Sequence, residues 1–172
     1  MIHIIGLNHR YQFEGPGNDW ETFYAFLTQH ALTLHPDLLA EELDEECILN
    51  DGARNSVARR VATEQAARHL FVDPDTEERR RCGIKGYREI ALDLGYGCVL
   101  TREQDAHVKK IEKRHWDKRE RIWLARLALV RHDRCIMIIG ANHVARFSRK
   151  LSRLSIASLI LESDFGTSPL KS

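Results

Sequence analysis

The 172-residue chain holds only four cysteines, and no two of them form a C-x-x-C pair. Cys47, Cys82, Cys98 and Cys135 lie scattered, which excludes the zinc-ribbon and thioredoxin spacings and suits a reducing compartment. Long apolar runs are missing too. The clearest, "CIMIIGA" at 135–141, falls far short of the ~20 residues a membrane helix needs. The opening "MIHIIG" has no basic segment, extended apolar core or small-residue cleavage site. No signal peptide is expected, and a cytoplasmic location is. Charge of one sign is absent as well: a net charge of +1 argues against a nucleic-acid partner held by bulk charge. There is no G-x-x-x-x-G-K-[ST] loop, no G-x-G-x-x-G after a strand and no G-x-S-x-G elbow. ATPase, nicotinamide and serine-hydrolase chemistries are set aside.

What remains is an ordinary globular composition, 43% hydrophobic and 30% charged, at a length suited to one domain spanning residues 1–172. Short apolar segments at 1–6, 37–43, 69–75, 134–140 and 155–163 read as strands, the fourth apolar at nearly every position. Helical spacing marks 20–34, with Asp19 as its expected cap, and 56–69. Asp75 and Glu78 form a capping-box pattern opening a helix at "TEERRR". "GIKGYREIALDLGYG" holds a short helix between loops. A long charged helix runs from Thr101 to about Val130, and 142–154 is helical. Turn chemistry fills 14–19, and the tail from Asp164 is expected to fray. Strands alternating with helices predict an α/β fold: a mostly parallel sheet of about five strands, helices on both faces, plus the long charged helix.

One phrase occurs twice. "IIGLNHRYQF" at 4–13 and "IIGANHVARF" at 138–147 share Ile-Ile-Gly-x-Asn-His-x-x-x-Phe. Each copy is a strand, a glycine, then a histidine where the chain leaves the sheet. Strand C-termini of a parallel sheet share one edge, and ligands bind in the crevice there. His9 and His143 are therefore expected to face one site. As edge residues they should have few packing partners.

The same edge collects Glu41, Glu42, Asp73 and Asp75. Strand alternation lets only one of Glu41 and Glu42 face the crevice. Asp75 already serves as a cap, which leaves Asp73 as the better functional residue. Two imidazoles and a carboxylate suit a divalent metal such as Zn, Mn or Fe. They suit metal-free acid–base work equally well. Asn8 and Asn142, each preceding a histidine, are placed to fix the loop or to bond a polarised oxygen. Arg79 and Arg119 are the candidates to bind an anionic substrate group. His69, at the far end of its strand, is left out of the site.

The paired G-x-x-H motifs resemble those of the TraB, ChaN and erythromycin-esterase-like superfamily, which includes the Tiki-type proteins regarded as metal-dependent proteases. Gly6 and His9 carry the first motif. Gly140, His143 and the helix and strand after them carry the second. "PDLLAEELD" is similar to the family's early strand ending in an acid, in a register that places the family glutamate on Glu42. The resemblance implies a hydrolase-like site with His9, His143 and Glu42 as metal ligands, although members range from hydrolysis to haem binding. Two other classes stay open: a non-catalytic module for a small ligand, nucleotide or haem, and a regulatory protein whose long helix (Trp116, Trp123) forms a homodimer face.

Overall fold

A computed structural model describes residues 1–16 and 19–166. Gly17 and Asn18 of the expected turn, and the tail from residue 167, lie outside the described residues. Five strands, β1 (Ile2–Leu7), β2 (Leu38–Glu41), β3 (Arg68–Phe71), β4 (Cys135–Gly140) and β5 (Ser158–Phe165), make one sheet in the order β3-β2-β4-β1-β5. Every pairing is parallel. The helices are α1 (Trp20–Leu34), α2 (Glu45–Asn50), α3 (Val57–Glu64), α4 (Thr76–Arg81), α5 (Tyr87–Asp93), α6 (Arg102–Leu129) and α7 (Ala141–Arg153). The α/β architecture read from the sequence is the one found.

Alternation in the central strands builds two cores. Cys135, Met137 and Ile139 of β4, with Ile2 and Ile4 of β1, face Trp123 and Leu127 of α6 and Val144, Phe147 and Leu151 of α7. Ile136 and Ile138, with Ile5, Leu7 and Leu39, face Phe23, Leu27 and Ala31 of α1 and Val57 and Val61 of α3. All six residues of β4 are buried. Each large one contributes about 1.5–3 kcal/mol, so this strand anchors both layers.

Thr101 and Gln104 close the predicted cap of α6, and Asp75 accepts from Glu78 N–H at the start of α4. Other boundaries move. The helix expected over 56–69 stops at Glu64, since Ala66 turns left-handed (φ 51°) and starts the chain back into the sheet. Strand β3 then ends at Phe71 rather than at residue 75. Ser155 is likewise left-handed (φ 57°), and β5 begins only at Ser158. Asp19 does not cap α1 through its side chain; its carbonyl receives Thr22 instead. Helix α2, capped by Asp44, fills a stretch after the 37–43 segment to which the sequence pattern assigned no element. Of the two tryptophans of α6, Trp123 is fully buried and half-buried Trp116 packs on His143. No helix among the described residues is long and apolar enough to cross a membrane.

Candidate functional site

A crevice of about 750 Å³ opens at the C-terminal edge of the central strands. Its wall draws His9 from the turn after β1, Glu42 from the residue after β2, Gly140 and His143 from β4 and α7, and Asp164 from β5. Such an edge is where α/β sheets bind ligands, because helix and strand termini there leave backbone groups and side chains unpaired.

The two histidines of the repeated phrase meet on one atom. His9 Nε2 lies 3.8 Å and His143 Nε2 3.6 Å from the same Glu42 Oε1. Each ring is held from behind. His9 Nδ1 stands 2.7 Å from Gln12 Oε1, and His143 Nδ1 stands 3.1 Å from Glu120 Oε1. Their surroundings differ sharply. The His9 side chain is 45% exposed, whereas that of His143 is 5% exposed and sits between the rings of Trp116 and Trp123. His143 thus has more packing partners than the sequence predicts, because α7 tucks it under α6.

Glu42 is buried yet fully bonded: Oε2 accepts from Gly140 N–H (2.8 Å) and Oε1 from Arg119 Nη2 (2.7 Å). Glu41 faces away, towards α1 and α3. There it accepts from Gln12 Nε2 (3.1 Å), from His69 Nε2 (2.7 Å) and from the Ser56 hydroxyl. Of the adjacent acids only Glu42 enters the crevice, as alternation requires.

Asp73 and Arg79 stand behind the crevice wall rather than in it. Asp73 is buried and accepts from Arg119 Nε (2.8 Å), Trp123 Nε1 (2.9 Å) and the Arg79 guanidinium. Burial opposes its ionisation, but Arg119 and then Arg79 outweigh that and hold its carboxyl below the usual range. Arg79 is spent on Asp73 and on the Pro74 carbonyl. Arg119 lines the crevice with one edge while bridging Glu42 and Asp73. The pair raises its pKa despite burial. Asn142 lines the crevice. Asn8 does too, and its Oδ1 accepts from Arg10 N–H in the turn.

Sequence reasoning missed four contributors. Glu120 is fully buried, joined to His143, Arg146 (3.0 Å) and Lys150 (2.8 Å). Burial would raise its pKa, but His143, Lys150 and Arg146 together lower it. Glu112 lines the crevice, and burial raises its pKa. Trp116 forms a wall of the crevice, and Gln12 is the His9 partner. Glu112, Trp116 and Glu120 belong to one face of α6, so their i, i+4 spacing was the available signal.

The donor set suits a divalent cation in kind. Each imidazole Nε2 stands 3.6–3.8 Å from the carboxylate oxygen, near the ~3.4 Å ligand–ligand edge of a tetrahedral shell with ~2.1 Å bonds. Both imidazoles carry the Nδ1 support that metal-bound histidines use. As it stands, no group of three His, Cys, Asp or Glu side chains among the described residues is arranged to hold a metal ion. Glu42 Oε1 is already engaged by Arg119, so a cation would have to share that oxygen.

Fold and site together define an α/β protein with a two-histidine, one-carboxylate crevice at the sheet's C-terminal edge. Compared with protein-family models, curated proteins and solved structures, the chain matches none.

Proposed function

We propose that the crevice is a hydrolytic active site for a small molecule bearing a negative group, of the kind implied by the resemblance to the TraB, ChaN and erythromycin-esterase-like superfamily. One observation carries this reading: both Nε2 atoms of the repeated phrase converge on a single buried carboxylate oxygen. His9, the exposed ring, accepts a proton from a water lying against Glu42. That water attacks the acyl or phosphoryl centre, and His9 returns the proton to the alcohol or amine that departs as its bond to that centre breaks. His143, packed and tied to Glu120, keeps its Nε2 aimed at the same point. Negative charge developing on the substrate meets Arg119 and the first turn of α7, whose N–H groups have no side-chain cap.

His9, His143 and Glu42 are the residues that would hold a zinc, manganese or iron ion, which would then supply a bound water of lowered pKa. Asn8 and Asn142 sit at the rim, where their amides orient the substrate. The remaining steps need only proton transfer and fixed dipoles.

The experiment is a turnover screen of the untagged full chain against small anionic esters, amides and phosphate esters, with and without Zn²⁺ or Mn²⁺. Turnover in the parent chain and its loss in His9→Ala is the expected result. No turnover under any condition, with no cation bound in calorimetric titration, overturns the reading. Ligand binding without turnover would point instead to a binding module.

A further inference from the structure

The two crevice histidines are backed by different chemistry, and the backing of His9 extends across the sheet. Its Nδ1 meets Gln12 Oε1 at 2.7 Å, the Gln12 amide nitrogen meets Glu41 Oε2 at 3.1 Å, and Glu41 Oε1 meets His69 Nε2 at 2.7 Å. Gln12 and Glu41 are fully buried, so neither has water as an alternative partner. A primary amide has one accepting and one donating end. A carboxylate beside the amide can only receive, so Glu41 fixes which end of Gln12 points where. The oxygen is left for His9. An imidazole facing that oxygen must put its proton on Nδ1, which leaves the Nε2 lone pair aimed into the crevice.

We infer that Gln12 and Glu41 are positioning residues that lock His9 in the Nδ1–H tautomer, with Glu41 setting it from the opposite face of the sheet. The opposite tautomer would place a hydrogen on Nε2 and make His9 unable to accept a proton or bind a cation there. This explains why two adjacent glutamates are both buried, one on each face. Glu42 lines the crevice, and Glu41 orients the group opposite it through one intermediate. The inference rests on the proposed site for its meaning, but its test reads the imidazole alone.

The test is long-range ¹H–¹⁵N correlation NMR of the full chain without substrate, with and without chelator, at a pH where the ring is neutral. The chain has nine histidines, so the His9 signals are those missing from His9→Asn. The parent should show Nδ1–H at His9. A ring mostly in the Nε2–H form, or averaging between the two, overturns the inference. Gln12→Met removes the acceptor with little change of volume, and His9 should shift mostly to Nε2–H.

Glu41→Gln is the sharper variant. Its oxygen stays with the two donors Ser56 and His69, so its new amide nitrogen faces Gln12. Gln12 must then turn over and present its own donor to His9. The expected result is reversal of the tautomer with the fold intact; an unchanged Nδ1–H form removes Glu41 from the device. Should Glu41→Gln not fold, the parent spectrum and Gln12→Met still decide the matter. Because no substrate is present, a failed turnover screen leaves this result untouched. A wrong tautomer would equally leave the screen standing.

Discussion

Gly140 is the floor on which His9 lies. A β-carbon on Gly140 would stand 2.7 Å from His9 Nε2 and 3.4 Å from Glu42 Oε2. The second copy of the repeated phrase therefore makes room for the histidine of the first. Gly6 has another reason to lack a side chain: a β-carbon there would strike the Ser163 carbonyl oxygen and the Val144 side chain. The glycine of the phrase stands in both copies where the end of its strand is covered closely.

Replacing these glycines should separate site from fold. Gly140→Ala should displace His9, whose half-exposed ring can move away at the expense of its Gln12 contact, and abolish turnover and cation binding with a stability loss of about 1 kcal/mol. Gly6→Ala presses on backbone and on a packed valine, neither of which can move cheaply. It should cost about 1–3 kcal/mol. Urea unfolding of both variants checks the ranking.

The two histidines should also differ when removed. His9→Ala should cost about 1 kcal/mol or less. His143→Ala leaves a hole between Trp116 and Trp123 and strips Glu120 of a partner, so about 2–4 kcal/mol is expected. Equal losses by urea unfolding would contradict the asymmetric burial.

Glu42→Gln should weaken Zn²⁺ or Mn²⁺ binding at least tenfold in calorimetric titration, since a neutral amide replaces the charged oxygen between two imidazoles. The variant also leaves Arg119 with Asp73 alone. Undiminished affinity would place any bound cation elsewhere.

Asp73 is one of the carboxylates expected to make stability fall in acid. Its folded pKa lies below the unfolded value of about 3.9. Its contribution is therefore fully present above that value and is lost as pH falls through the folded one. Asp73→Asn should cost about 3–5 kcal/mol at neutral pH, because Arg119 and Arg79 lose their shared partner. It should also flatten the decline in stability between neutral pH and pH 3. The lowered pKa of Glu120 acts in the same sense, so some decline should persist. Chemical unfolding at both pH values gives the comparison.

The parts of this fold written in local pattern were legible in the sequence. Strand β4 announces itself by six apolar or small residues, α6 by the Thr101 cap, and the crevice by a phrase repeated after two strands. Breaks made by backbone conformation rather than composition were not legible, and Ala66 and Ser155 turn left-handed without being glycine. The partners of the histidines were equally hidden. Gln12 lies three residues from His9 and reads as turn, and Glu120 reads as one more charge on a charged helix. Their roles exist only once α6 lies over the sheet. What the sequence could not show of Asp73 and Arg79 is their pairing: Asp73 follows the end of β3 and Arg79 lies in α4, and Asp73 accepts from both Arg79 and Arg119 behind the wall.

The strand order has a consequence for synthesis. Among the described residues, strand β1 pairs only with β4 and β5, and β2 reaches β1 only through β4. On the ribosome, β1 is made long before β4 and β5, the strands it pairs with. Its Ile2, Ile4 and Ile5 must stay sheltered meanwhile, because an unpaired apolar strand is an invitation to aggregate. The central pairings join parts of the chain that lie far apart in sequence, the kind of contact that slows folding. No shortened product ending before residue 135 can form the crevice.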